Sequence, residues 1–203
     1  MIDLVCLVAD RNMEAVVGGI LAKHQALGIR PLDLEVIAHP QHDPGCFKSP
    51  EPFLGLFVRQ ARHGLVILDR DWDGVPDKST QDLEADLNAR LARFGIDWGQ
   101  SVVIDPELEV WLFTRSPRLD EALGWRGRSP DLSAELDSRG LWPSGAAKPA
   151  NPKASMQWAL SQVGKQKSSS IYRQVVTNIG LAKCIDPSFL RFQSTLRRWF
   201  PLP

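Results

Sequence analysis

The sequence predicts an α/β fold: a mostly parallel, four-stranded sheet flanked by helices, followed by a helical, basic region. Three observations predict it. Short apolar runs rich in Val, Leu and Ile recur at 2–9, 32–39, 65–68 and 101–105, the pattern of strands buried on both faces. Stretches with helical spacing of apolar residues separate them, as crossovers between parallel strands require. Beyond residue 115 such runs stop. The chain therefore divides into an α/β domain, 1–115, and a helical cap, 116–203, expected to pack on it as one unit.

Each element has a local reason. IDLVCLVA (2–9) is the first strand, and Asp10 to Asn12 turn the chain into a helix. Met13, Val16, Val17, Ile20 and Leu21 line one face of that helix up to Gly28, a residue that favours a helix stop. LDLEVIAH (32–39) is the second strand. QHDPGCFKSPEP, dense in Pro, His and Gly, reads as a loop before a short helix with Phe53, Leu56, Phe57 and Val58. LVIL (65–68) is the third strand. Ser79 or Thr80 caps the next helix, whose Leu83, Leu87 and Leu91 form a stripe before Gly95. SVVID (101–105) is the fourth strand. PELEVWLF then reads as a helix with Pro106 at its first position, where the missing N–H costs nothing. Past the Pro/Gly-rich stretch 141–153, helices are expected over 154–164, 169–182 and 187–199.

Composition narrows the setting. A chain of 203 residues with 43% hydrophobic and 24% charged residues suits a globular domain. No apolar run reaches the roughly 18 residues of a membrane span, and the opening MIDLVCLVADRNME has no basic segment before its apolar run. Cys6, Cys46 and Cys184 show no metal-type spacing, so they read as free thiols. A cytoplasmic location is expected. The net charge is zero, yet residues 147–203 hold Lys148, Lys153, Lys165, Lys167, Arg173, Lys183, Arg191, Arg197 and Arg198 against Asp186 alone. Such asymmetry points either to a polyanionic partner or to docking of opposite faces within the molecule.

Chemistry is expected at the carboxyl ends of the strands, where open α/β sheets bind ligands. Acids follow three of them: Asp10 with Glu14, Asp69 with Asp71 and Asp73, and Asp105 with Glu107 and Glu109. Acids converging on one sheet edge repel unless a cation lies between them, and all-oxygen sites suit Mg²⁺ or Mn²⁺. Asp69 and Asp71 are the foremost ligands, with Asp73 in an outer or capping role. Two other readings of DRDWDGVPD compete with this one. A calcium loop of the EF-hand type has the acids and the glycine, but Pro76 and Thr80 stand where an apolar residue and a bidentate Glu belong. A haloacid-dehalogenase-like phosphatase would use Asp69 as nucleophile and Asp71 as general acid. That motif follows its domain's first strand, and Asp73 replaces the customary Thr or Val. His39 and His42 have a spacing open to zinc, though plain loop histidines fit them better.

The order of an acid after the first strand, Asp-x-Asp after the third and then PELE-W resembles the TOPRIM domain of topoisomerases, primases and OLD-family nucleases. Over most of its length, through VADRNMEA, IDPELEVW, KPANPKAS and CIDPSFLRFQSTLRRWFP, the chain is similar to small stand-alone TOPRIM-like proteins of bacterial anti-phage, methylation-associated defence systems. The resemblance implies Mg²⁺-dependent phosphodiester chemistry beside partner proteins of the same gene cluster. The metal set would be Glu14, Asp69, Asp71 and Glu109; ADRNME stands where the family carries Glu-Gly. Lys153 would steady a phosphate oxygen or the leaving group. Lys148, Lys153, Lys165, Lys167 and Arg173 would track the backbone of DNA or RNA. A TOPRIM-shaped binding subunit without cleavage is the competing expectation.

Overall fold

The computed structural model describes residues 1–114 and 117–203, without the Lys183 side chain; the boundary expected at 115/116 lies outside the described residues. Four strands form one sheet: β1 (Ile2–Val8), β2 (Leu34–Ala38), β3 (Ala61–Asp69) and β4 (Gly99–Ile104). All pairings are parallel and the order is β2-β1-β3-β4. The chain leaves β1 for β2 on one side and returns to β3 on the other, so the switch point lies between β1 and β3. There the carboxyl ends of two strands open a crevice.

Ten α-helices flank or cap the sheet among the described residues: α1 (Arg11–Leu21), α2 (His24–Leu27), α3 (His42–Lys48), α4 (Glu51–Leu54), α5 (Thr80–Leu91), α6 (Pro117–Leu123), α7 (Leu132–Ser138), α8 (Pro152–Gln162), α9 (Ser169–Asn178) and α10 (Pro187–Trp199). The expected apolar faces of α1 and α5 are buried; each such Leu, Val or Ile contributes about 1.5–3 kcal/mol relative to exposure. Ser79 caps α5, accepting from the Asp82 N–H at 3.1 Å. One cluster of buried apolar residues runs from Leu4 to Phe200 and includes Trp111, Trp142, Phe189 and Phe192. Among the described residues, no helix is long and apolar enough to cross a membrane. All three cysteines are buried free thiols.

Three segments differ from the sequence expectation. The Pro-rich stretch after β2 is helical, because its prolines fall in the first turns of α3 and α4, where backbone N–H groups have no helical partner to lose. The apolar helix expected around Phe53–Val58 ends at Leu54. PELEVWLF is not an α-helix: Glu107 is extended and only Leu108–Trp111 forms a 3₁₀ turn. Lys148 Nζ donates to the Val110 and Phe113 carbonyls at 2.8 Å each, taking acceptors that a continuing helix would use.

The two sheet edges are treated differently. On β4, the Ser101 N–H donates to Asn88 Oδ1 at 2.7 Å and the Val103 N–H to Glu84 Oε1 at 2.8 Å. Side chains of α5 thus occupy the outer edge, and Arg191 of α10 braces Glu84 at 3.0 Å. On β2, the Leu4 N–H donates to the Asp33 carbonyl and the His39 N–H to the Val8 carbonyl. With Leu4 facing Leu34 and Val8 facing Ala38, the odd-numbered residues 33–39 bond to β1. The N–H and C=O groups of Leu34, Val36 and Ala38 face outward, and no group among the described residues bonds to them.

The uneven charge is largely an internal matter. Of the nine basic residues in 147–203, six bond back to the first 113 residues. Lys148 holds the two carbonyls, Lys153 pairs with Glu107, Lys167 with Glu109, Arg191 with Glu84 and Arg198 with Asp97. Arg197 donates to the Leu27 carbonyl at 2.7 Å.

Candidate functional site

At the switch point a cavity of about 80 Å³ is lined by Asp10, Asn12, Asp43, Asp69, Asp71, Glu109, Lys153 and Lys167, with Ala9, Met13 and Leu108. A water occupies about 30 Å³ in the liquid, so the space suits an ion with a water or two.

Each acid is placed by a definite element. Asp10 lies two residues past β1 and caps α1, accepting from the Asn12 and Met13 N–H groups at 2.8 Å each. Asp69 is the last residue of β3, and its own N–H donates to Asp43 Oδ1 at 2.8 Å. Asp43 lies in the first turn of α3. The loop carrying Asp71 is pinned where the Arg70 and Asp71 N–H groups both donate to the Pro106 carbonyl at 3.1 Å. Glu109 is 2% exposed; its Oε1 accepts from Lys167 Nζ at 2.9 Å and from the Tyr172 hydroxyl. Glu107, also buried, accepts from Lys153 Nζ at 2.5 Å. In an α-helix these two acids would diverge; the extended backbone at Glu107 brings both into the field of Asp69.

That field is strong. Burial raises the Asp69 carboxyl well above its ordinary range, and the charges of Asp43, Glu109 and Glu107 raise it further. Asp43 is also raised, by burial first, against the hydrogen bond from Asp69 and with Asp10 adding to the rise. Burial, then Glu109, pushes the Tyr172 hydroxyl far up, so it stays a donor. The hydrogen bond to Glu107 raises Lys153 and keeps it an ammonium. Like charges about 4 Å apart repel by about 4 kcal/mol at an effective dielectric of 20.

Asp69 Oδ1 is buried without a hydrogen-bond partner. A sealed, unpaired carboxylate oxygen in a cavity whose acids supply oxygen donors is the surrounding that a hard divalent cation satisfies. The donor chemistry of Asp69, Asp71, Asp43 and Asp10 fits Mg²⁺ or Mn²⁺. Among the described residues, however, no three His, Cys, Asp or Glu side chains are grouped closely enough to form a ready ligand cage. Lys153 and Lys167 hold the two glutamates instead.

Asp69, Asp71, Glu109 and Lys153, expected from sequence, line this cavity together. Glu14 does not. It pairs with Arg11 at 3.0 Å and lines a neighbouring pocket, which shares Ala9 and Asp10 with the acid cavity. Asp10 holds the place near the metal-type cavity that Glu14 was expected to take. Of the other basic candidates, Lys148 is spent on backbone carbonyls, Lys165 lies near Gly124, and exposed Arg173 lines a groove with Lys23 and Thr177. Sequence reasoning missed Asp43, Lys167 as a cavity residue and Tyr172. His39 is buried against Phe53 and its Nδ1 accepts from the Gln41 N–H, while His42 is exposed at a φ of 53°.

No protein-family model matches the chain, and no curated protein matches it. Among solved structures, it resembles the C-terminal region of the Burkholderia pseudomallei OLD protein, with a TM-score of 0.57 at 10% identity over 98% of each chain. It also resembles the C-terminal region of the Xanthomonas campestris pv. campestris OLD protein, with a TM-score of 0.52 at 14% identity over 96% of this chain and 94% of that one. At these identities the likeness is one of fold, and nearly the whole chain, cap included, shares the fold of the OLD C-terminal region.

Proposed function

We propose that the chain is a metal-dependent phosphodiesterase acting on nucleic acid, a component of a bacterial anti-phage system working with other proteins of its gene cluster. The observation that carries this reading is the buried, unpaired Asp69 Oδ1 at the switch point, with two lysines at the rim of the same acid cavity. The TOPRIM-like order of motifs and the OLD-like fold support it.

Asp69, Asp71, Asp43 and Asp10 would hold Mg²⁺ or Mn²⁺, with Glu109 behind them. Such an ion, when bound, supplies charge neutralisation at the phosphoryl oxygen and acidifies water. The chain's own residues do the rest. Lys153, nearly half exposed although paired with Glu107, presents an ammonium to a phosphate oxygen or the leaving oxygen. Tyr172 and Lys167 fix Glu109, and the Pro106 carbonyl fixes the Asp71 loop. Buried Leu108 and Met13 close the inner wall of the cavity, and exposed Asp71 leaves its mouth open to solvent and substrate. The test is cleavage of labelled DNA and RNA with Mn²⁺ by wild type and Asp69→Asn, with and without the cluster's partner proteins.

A second reading, a binding subunit without cleavage, is favoured by the lysines already seated on Glu107 and Glu109. Metal uptake with no turnover under any partner condition would support it.

A further inference from the structure

We propose that the pocket beside the acid cavity receives an unpaired nucleobase, which makes single-stranded nucleic acid the preferred substrate. This rests on the phosphodiesterase reading and deepens it. The pocket measures about 510 Å³ and is lined by residues 35–38 of β2 together with Asp10, Glu14, Pro40 and His42. Its volume lies within the range of small-molecule sites, and Asp10 connects it to the cavity where the phosphate would sit.

The strand residues show where the pocket runs. Successive side chains of a strand point to opposite faces, so four consecutive lining residues, Glu35 to Ala38, place the pocket along the outer edge of β2. That edge is the unprotected one. The outward N–H and C=O of Val36 lie on it without a partner among the described residues, whereas on β4 the N–H groups of Ser101 and Val103 donate to Asn88 and Glu84 and the Val103 carbonyl accepts from Arg191. An N–H beside a C=O is a donor–acceptor pair of the kind that base edges match. Glu14, reaching in from α1, adds an acceptor for an exocyclic amine such as that of cytosine. Ile37, Ala38 and Pro40 offer apolar surface for the ring, and exposed His42 at the mouth offers a face for stacking. A base stacked in a duplex reaches such a pocket only by leaving its partner.

The assignment gives a role to Glu14, which lines this pocket and not the metal-type cavity. It is tested without catalysis, by fluorescence anisotropy in EDTA with labelled dC, dT and rC 12-mers and a blunt duplex. Wild type, Glu14→Gln and Val36→Pro are compared. Proline at position 36 removes the outward N–H, and the β1 ladder, which runs through the odd-numbered residues, loses no hydrogen bond, as edge strands tolerate. The expected result is single strands bound at least tenfold more tightly than duplex, cytosine preferred over thymine, and that preference lost in Glu14→Gln. Val36→Pro should weaken single-strand binding severalfold. Equal binding of single strand and duplex, unchanged in both variants, overturns the base site. So does single-strand binding without base preference and insensitive to Glu14→Gln. Adding Mn²⁺ separates the two readings. The expected binding pattern with no cleavage sinks the phosphodiesterase and keeps the base site. Cleavage indifferent to strandedness and to both variants does the reverse.

Discussion

Lys167 Nζ lies 2.9 Å from Glu109 Oε1 and joins the basic helical region to the most deeply buried acid of the site. The pair is 58 residues apart in sequence, and Tyr172 closes the same carboxylate from α9. Removing the ammonium leaves a buried charge without its counter-ion, which is more damaging than never having had the pair. Because Lys167 is about a quarter exposed, Lys167→Met is expected to destabilise by about 1–3 kcal/mol. Adding Glu109→Gln should recover part of that loss. Urea unfolding of both variants checks it; a neutral single variant would show the pair to be idle.

Asp69 carries the opposite signature, a charge the apo fold tolerates poorly. Its carboxyl is raised by burial and by Asp43, Glu109 and Glu107. A raised acid destabilises as pH climbs above its unfolded value, because the unfolded chain loses the proton first. Asp69→Asn should therefore melt near wild type at pH 4 and above it at pH 8. The expected gain is about 1 kcal/mol, or about 2–4 °C for a chain of this size. Thermal melts in EDTA at the two pH values read this out, and an unchanged or lowered melting temperature at pH 8 would contradict it.

Acid sensitivity should have a separate source at the far end of β1. Asp3 accepts from Arg30 at 2.6 and 2.8 Å, and that hydrogen-bonded guanidinium lowers its carboxyl to about 2 from 3.8. The lowered group stabilises the fold above its unfolded value, and the contribution fades as pH falls from about 5 toward 2. Arg30 is 35% exposed, so screening reduces the effect to about 1 kcal/mol. Asp3→Asn should flatten that part of the stability–pH curve; an unchanged slope would place the acid sensitivity elsewhere.

Lys148 and Arg173 should separate folding from binding. Lys148 spans two carbonyls behind the Glu109 segment, whereas Arg173 is exposed. Lys148→Ala is expected to cost about 1–3 kcal/mol of stability and leave the salt dependence of nucleic-acid binding unchanged. Arg173→Ala should leave stability within about 0.5 kcal/mol and reduce the salt slope by about 1. Anisotropy across a salt series measures both, and a reduced slope in Lys148→Ala would return that residue to the nucleic-acid surface.

The strands and the position of Asp69 were legible because buried parallel strands leave unbroken Val, Leu and Ile runs, and because acids at their carboxyl ends are local in sequence. Glu109 was legible for the same reason. Asp43 was not, since its stretch reads as a proline loop and its partner is the Asp69 backbone 26 residues on. The geometry at Glu107 depends on Lys148 capturing carbonyls from 35 and 38 residues away, which no local pattern announces. Asp10 and Glu14 were both visible as acids after β1. Choosing between them needed the helix cap geometry that turns Asp10 inward and leaves Glu14 on Arg11.

Calorimetric titration of Mn²⁺ into wild type and Asp69→Asn bears most directly on the acid cavity. Wild type is expected to take up the ion with saturable heat, and the variant to show none while remaining folded by circular dichroism. Equal uptake by both, or none by wild type, would contradict the assignment of the Asp69 cavity as a metal site.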